Sequence, residues 1–267
     1  MDKTKGGFNI KIKAVKEYEN GFMIQPFAFG GEDGMENYDS SIKYRASIQN
    51  YLIDTGDEVI LVDTGIPADF EDPEYDEDAL IYNGERTSEY MDALKELGYE
   101  KEDITKILLT HKHLDHSGEL GQFPNAEIYL SKTEAQELNL EGENIIPVEF
   151  NEEYKNFKKA QKIVDNVYLI EAIGHTTGNS IVIIEDEDLF YMIQGDVTYT
   201  DEALYANKLS IVFEDLDKAR ETLDNVREFI SNNPTVYLST HTPLGHENLL
   251  NKKVIDLDNP PESIFPE

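Results

Sequence analysis

The segment His111-Lys112-His113-Leu114-Asp115-His116 contains three of the six histidines in the 267-residue chain. It follows a short apolar strand predicted at 107–110, and loops at strand ends commonly carry chemistry. Imidazole and carboxylate groups are both metal ligands. His111 and His113 lie two apart in an extended segment and therefore point the same way, whereas Asp115 and His116 turn towards a second position. One metal cannot easily accept four donors from so tight a turn, so the spacing predicts two metals. The alternative is a His-rich surface turn.

Three more candidate donors also follow predicted strands. His175 lies in Gly174-His175-Thr176-Thr177-Gly178 after the strand predicted at 167–173. Asp196 and His241 follow the strands predicted at 189–194 and 235–239. Each one alone has an ordinary explanation, such as a structural His or a turn Asp. Together they place a donor beside a strand end four times, which predicts a metal site at a sheet edge. His246 remains, and we predict that it is a surface residue.

The rest of the chain predicts a layered α/β domain spanning 1–267. Period-two alternation or apolar runs predict strands, and helical spacing predicts helices at 88–97, 131–140 and 215–231. A capping box at Ser131–Glu134 opens the second helix, and the turn Thr55-Gly56-Asp57 predicts a hairpin. The acidic segment 65–86 is predicted to be a covering loop, and the Pro-rich tail 258–267 to be irregular. The remaining predicted strands are 8–16, 22–29, 46–54, 58–63, 126–130 and 180–185.

Composition excludes several classes of protein. The chain has 55 acidic and 23 basic residues and a net charge of −32, which argues against nucleic acid or an anionic membrane as a partner. The absence of Cys excludes disulfides, thiolate zinc sites and Cys nucleophiles. No apolar run reaches the roughly 18 residues of a transmembrane helix, and no signal peptide is evident, so we predict a cytoplasmic protein. The apolar stretch 22–29 could serve a homodimer.

The ordered set HxHxDH, GHTxG, GD and a late His, with Asp63-Thr64-Gly65 upstream, resembles the metallo-β-lactamase superfamily over roughly residues 46–245. The resemblance implies an αββα sandwich of two mixed sheets flanked by helices. It also implies that His111, His113 and His175 hold one divalent metal and that Asp115, His116 and His241 hold a second. Asp196 would bridge both metals, and Asp63 would orient ligands. Zinc is the first expectation, with manganese, iron or cobalt as alternatives.

Within this superfamily the chain looks most like the N-acyl-homoserine lactone lactonases. Asp196-Val197-Thr198-Tyr199 keeps their Asp-x-x-Tyr element, whereas Leu114, Asn179 and Thr242 depart from their pattern. The flavodiiron branch of the superfamily typically has Glu at the position of His113. This chain has no Glu there, which indicates hydrolysis.

The resemblance implies that a hydroxide bridging the metals opens a lactone ring. Tyr199 would stabilise the oxyanion and Asp115 would act as general acid; the alternative for Tyr199 is an ordinary packed side chain. The substrate would be a small lactone or ester. Alternatives are a thioesterase, a phosphodiesterase or a non-catalytic metal-binding module.

Overall fold

The computed structural model describes residues 10–261. Thirteen strands within this range form two sheets. The first sheet comprises β1 (Lys11–Ile24), β2 (Lys43–Asp54), β3 (Val59–Val62), β4 (Ile81–Arg86), β5 (Lys106–Leu108), β6 (Glu127–Ser131) and β7 (Ile145–Val148). The second comprises β8 (Glu152–Tyr154), β9 (Phe157–Val164), β10 (Val167–Glu171), β11 (Ser180–Asp186), β12 (Leu189–Ile193) and β13 (Thr235–Leu238).

Both sheets are mixed. The first has the order β4-β1-β2-β3-β5-β6-β7, antiparallel up to β3 and parallel from β3 to β7. The second has the order β13-β12-β11-β10-β9-β8, and only β12 and β13 run parallel. The helices are α1 (Gln25–Asp33), α2 (Tyr90–Glu96), α3 (Leu114–Ser117), α4 (Lys132–Glu137), α5 (Asp201–Ala206), α6 (Leu216–Asn232) and α7 (Leu244–Asn251).

Three apolar layers hold the sheets and helices together. The middle layer joins β2 and β3 to β11, β12 and β13 through residues such as Ile53, Val62, Val182 and Leu238. On the outer face of the second sheet lies α6, whose Leu223, Val226, Phe229 and Ile230 are buried as their helical spacing predicts. On the outer face of the first sheet lies α2. The predicted αββα sandwich is confirmed.

Two predictions near the N-terminus were wrong. Residues 22–29 do not form one strand, because β1 ends at Ile24 and α1 begins with Pro26 in its first turn, where proline's fixed φ suits a helix. Residues 27–29 are buried within the chain, so the homodimer stays a prediction without this support. The segment 65–86 is not all loop, because β4 pairs with β1 at the sheet edge.

Several other elements differ in extent from their predictions. The hairpin at Thr55-Gly56-Asp57 is confirmed by the antiparallel pairing of β2 and β3. The helix predicted at 131–140 ends earlier, and β7, β8, β9, α1, α3, α5 and α7 were not predicted. Residues 8–9 of the first predicted strand and 262–267 of the tail lie outside the described residues. Among the described residues, every helix is too short or too polar to span a bilayer.

Candidate metal centre

The candidate donors lie at the carboxyl ends of strands from both sheets. His111 follows β5, and the one-turn helix α3 carries Asp115 and His116. In the second sheet, Asp196 follows β12 and His241 follows β13, its parallel neighbour. Because parallel strands end at the same edge, these loops meet between the two sheets. His175 enters this space from the loop after β10.

Seven side chains form two clusters of potential metal ligands. One contains His111, His113, His175 and Asp196, and the other contains Asp115, His116 and His241. In the first cluster, His175 Nε2 lies 2.9 Å from His113 Nδ1 and 3.2 Å from His111 Nε2, which is 3.1 Å from His113 Nδ1. A tetrahedral site with zinc–nitrogen bonds of about 2.0–2.1 Å places its nitrogens roughly 3.3 Å apart, so these three rings fit such an ion.

Asp196 lies between the two clusters. Its Oδ2 is 3.3 Å from His175 Nε2 and 3.0 Å from His241 Nε2, and its Oδ1 is 3.2 Å from His116 Nε2. Both Asp196 Oδ1 and His116 Nε2 are buried without a hydrogen-bond partner among residues 10–261. Unpaired buried polar atoms are costly, and a shared cation would satisfy both. The donor set therefore fits a dinuclear metal site.

The second cluster is completed by Asp115, whose Oδ2 lies 3.3 Å from His241 Nε2 and 3.8 Å from His116 Nε2. With 23% of its side chain exposed, Asp115 contrasts with His116 and His241, which are almost fully buried. Asp115 is therefore the member of the second cluster whose carboxylate reaches solvent.

The electrostatics keep the three histidines of the first cluster neutral. Burial lowers the pKa of His111 well below its usual value, lowers the pKa of His113, and lowers the pKa of His175 to about 4. Neutral imidazole is the form that binds metals. Burial also opposes charge in the second cluster, but the carboxylates of Asp196 and Asp115 outweigh it and raise the pKa of His116 and His241.

Asp63, predicted to orient ligands, supports the histidines from behind. Its Oδ2 lies 2.7 Å from His116 Nδ1 and accepts from Thr110 Oγ1 at 2.8 Å, and its Oδ1 accepts from the Thr110 amide at 2.7 Å. Thr110 Oγ1 in turn lies 3.0 Å from His111 Nδ1. Asp63 has φ +67°, a left-handed conformation that Asp and Asn tolerate better than most residues. This turn therefore aims two rings at once.

Sequence reasoning missed several residues that support the site. Thr110 directly precedes His111 and could have been noticed, whereas the Val212 carbonyl, 3.1 Å from His175 Nδ1, has no sequence signature. Ser131 caps α4 as predicted, but Glu134 does not complete a capping box. Its Oε1 accepts instead from Thr176 Oγ1 at 2.5 Å and from the Gly178 amide at 3.1 Å. Glu134 thus clamps the loop that carries His175.

The last two residues considered in the sequence analysis are Tyr199 and His246. Tyr199 is buried beside His241, with ring centroids 4.5 Å apart and planes 13° apart. Burial and the Asp196 and Asp115 carboxylates raise the pKa of Tyr199 well above its usual value. His246 belongs to neither cluster, but it is half-buried rather than the surface residue predicted.

Comparisons with known proteins agree with this geometry. The family model of the metallo-beta-lactamase superfamily matches residues 46–241. An N-acyl homoserine lactonase from Bacillus sp is 27% identical over 202 residues, covering 72% of this chain and 79% of the relative. The structure of a mutant of the Bacillus thuringiensis protein AiiA, with N-decanoyl-L-homoserine bound at its active site, superposes with a TM-score of 0.69 at 20% identity. It covers 89% of this chain and 95% of that one.

A second solved structure is that of AidC, described as a dizinc quorum-quenching lactonase in complex with a product. It superposes with a TM-score of 0.63 at 19% identity and covers 89% of each chain. At this identity the structural likeness concerns the fold, whereas the family model covers most of the chain. This chain belongs to the metallo-β-lactamase superfamily, as a metal-dependent hydrolase with a His/Asp metal site.

Proposed function

We propose that this protein is a lactonase that opens the ring of N-acyl-homoserine lactones. The observation that carries the proposal is Tyr199, buried against His241 three residues after Asp196, as in the Asp-x-x-Tyr element of the lactonases. The lactonase relative from Bacillus sp supports it.

We assign the two clusters to two divalent ions, with zinc first. His111, His113 and His175 would hold one ion, Asp115, His116 and His241 the other, and Asp196 both. Bound there, the ions would polarise the carbonyl group and lower the pKa of a water between them. The donors are imidazole and carboxylate only, so manganese, iron and cobalt would also fit.

Two side chains handle the reacting atoms. As water adds to the lactone carbonyl carbon, the carbonyl oxygen gains negative charge, and the Tyr199 hydroxyl donates a hydrogen bond to it. The ring C–O bond then breaks. Asp115 takes up the proton that the water loses and delivers it to the ring oxygen, which leaves as an alcohol. The product is a hydroxy acid, whose new carboxyl group ionises to a carboxylate and releases the second water proton to solvent.

The charge of the chain suits this substrate class. A neutral lactone is not repelled by a net charge of −32, whereas a phosphodiester is. The product carboxylate is also repelled, which favours its release.

The test is proton release from a panel of N-acyl-homoserine lactones by protein reloaded with zinc or manganese, at low and high salt. Ring opening of one or more lactones, with much weaker turnover of a thioester and of bis(p-nitrophenyl) phosphate, is the expected result. Two bound metals with no lactone opened would overturn the lactonase assignment, and turnover of either comparison substrate would then identify the alternative hydrolase.

A further inference from the structure

Most of the ligand histidines are fixed by a hydrogen bond to the ring nitrogen that faces away from the cluster. Nδ1 of His111 is bonded to Thr110 Oγ1, that of His116 to Asp63 Oδ2 and that of His175 to the Val212 carbonyl. Such outer partners set ring orientation in metal sites. His241 differs, because its buried Nδ1 has no hydrogen-bond partner among residues 10–261.

Aromatic contacts hold the His241 ring instead. The Tyr199 ring lies parallel to it, 4.5 Å between centroids. The Phe27 ring of α1 meets the Tyr199 ring in a T-shaped contact, with centroids 5.0 Å apart and planes at 89°. Phe27 is itself buried, with 6% exposure, in the same apolar cluster as Tyr199. The three rings therefore form a continuous series of aromatic contacts from α1 to the second cluster.

We propose that Phe27 and Tyr199 are positioning residues that orient the His241 ring for the second metal, in place of a hydrogen bond to Nδ1. This role of Tyr199 is additional to its proposed hydrogen bond to the substrate. The inference rests on the proposed metal assignment but not on the lactone substrate. It gives α1 a role at the metal site, although α1 lies outside the metal-binding motifs.

The physical reason is the freedom of an imidazole ring about its last side-chain torsion. A hydrogen bond to Nδ1 fixes that torsion, and a ring packed flat against the imidazole face restricts it as well. The aromatic ring of Tyr199, and not its hydroxyl, supplies this restriction. Phenylalanine at position 199 should therefore preserve the orientation of His241, whereas an aliphatic side chain should not.

The experiment compares Tyr199→Phe, Tyr199→Leu and Phe27→Leu with a matched control, Phe157→Leu. Phe157 is equally buried, at 6%, and also packs on an aromatic ring, Phe229 at 5.6 Å, but it lies in the apolar cluster around α6. Metal-free protein is titrated with Zn²⁺ against a chromogenic chelator, which gives the number of sites and their affinities. The absorption spectrum of the cobalt-substituted protein reports the ligand geometry independently.

We expect two sites in the wild type and unchanged affinities in Tyr199→Phe and Phe157→Leu. Tyr199→Leu should weaken one of the two sites about tenfold or more, the range for loss of an outer partner. Phe27→Leu should weaken the same site about two- to tenfold, the range for an aromatic pair. Lactone turnover by Tyr199→Phe should fall about tenfold or more through loss of the hydroxyl, with both metals retained.

Three results would overturn the inference. The first is unchanged zinc affinity in Tyr199→Leu. The second is equal weakening in Phe27→Leu and Phe157→Leu, which would indicate general destabilisation. The third is a wild-type protein that binds fewer than two metals. Because zinc affinity is measured without substrate, failure of the lactonase assignment would leave these results unaffected.

Discussion

The two ligand clusters draw their support from different parts of the chain. The first is supported from within the metal-binding region, by Thr110 behind His111, Val212 behind His175 and Glu134 under the loop at 174–178. The second depends also on residues that precede this region, although one of them, Asp63, reaches His111 of the first cluster through Thr110. Asp63 holds His116, and the turn after Asp63 is backed by Glu17 of β1, whose carboxyl oxygen accepts from the Ile66 amide at 3.1 Å.

In the second cluster, therefore, the candidate ligands and part of their support come from separate parts of the sequence. The members of the first cluster and the partners that hold their rings all lie between Thr110 and Val212. The second cluster needs the long β1–β2 pairing to bring Glu17 under the turn. At Gly65, where φ is +67°, an added Cβ would lie 2.3 Å from Glu17 Oε2, so the turn and the carboxyl group fit only with glycine there. Variants can therefore be chosen to affect both clusters, the support of the second cluster, or the rim of the first, which is its partly exposed edge.

The largest effect is expected from Asp196→Asn. Because Asp196 contacts both clusters, this substitution should weaken metal binding at both. The amide retains the shape but loses the charge that lies between His241 and His116. We expect zinc affinity to fall by more than the roughly 100-fold that loss of an outer partner costs, and lactone turnover to become undetectable. Chelator competition and proton release measure the two effects.

Asp201→Asn is the matched control for Asp196→Asn. Asp201 is equally buried, five residues along the chain, and bonds to Ser239 and Asn248 rather than to a candidate ligand. It should keep both metals. Full zinc binding by Asp196→Asn would contradict the assignment of Asp196 to both clusters.

An intermediate effect is expected from Glu17→Gln, which tests the support of the second cluster. Burial raises the pKa of Glu17 from 4.5 to about 8, although the Ile66 amide and Arg86 oppose this, while Asp115 and Glu119 add to it. The folded state therefore keeps a proton that the unfolded state loses between these pH values. The wild type should lose free energy of unfolding as pH rises through this window, by up to about 5 kcal/mol at 1.36 kcal/mol per pKa unit.

Glutamine cannot ionise but still accepts from the Ile66 amide, so Glu17→Gln should escape this loss. Urea unfolding of metal-loaded protein at about pH 5.5, 7 and 8.5 measures the difference between variant and wild type. The exposed Glu153→Gln serves as control and should show no pH-dependent difference. A constant difference between Glu17→Gln and wild type at all three pH values would show that Glu17 is ionised throughout.

The layered α/β class and the seven candidate ligands could be predicted because their signals are local, whereas the αββα sandwich followed from the family resemblance. Three ligand histidines and Asp115 lie within six residues, and the others each follow an apolar strand. Glu17 could not be predicted, because a bulge between Lys16 and Tyr18 breaks the alternation of β1 and buries a residue that reads as a solvent-facing position. The direction of a side chain in a strand depends on pairing across the sheet, not on its own neighbours in sequence.

The missed elements have similar causes. The apolar run at 22–29 fits a buried strand as well as a buried helix, and its periodicity cannot distinguish these two structures. The strand β4 contains Asn83, Gly84, Glu85 and Arg86, which do not favour a strand by composition. It forms because Gly84 lets its backbone approach Glu19 of β1, where an added Cβ would lie 1.9 Å from the Glu19 carbonyl oxygen. Such pairing is long-range and leaves no pattern within the segment itself.

The smallest effect is expected from Lys112→Gln, at the rim of the first cluster. Lys112 lies between His111 and His113, and its Nζ is 2.6 Å from Glu214 Oε1, while Glu214 Oε2 accepts from the Thr177 amide at 2.7 Å. This ion pair links the two loops that carry the cluster's histidines, but both side chains are partly exposed, at 20% and 35%. Exposed pairs contribute about 1 kcal/mol or less and are screened by salt.

We therefore expect Lys112→Gln to weaken one zinc site by no more than about fivefold at low salt, with the difference vanishing near 1 M salt. Chelator competition at both salt concentrations measures it. Lys132→Gln is the control, because Lys132 pairs with Glu149 at 3.2 Å on an exposed surface that carries no ligand. A loss well above fivefold that persists at high salt would mean that the rim supports the first cluster as strongly as Asp63 supports the second. The supports of the two clusters would then not differ in kind, because each would include a charged side chain that aims its histidines.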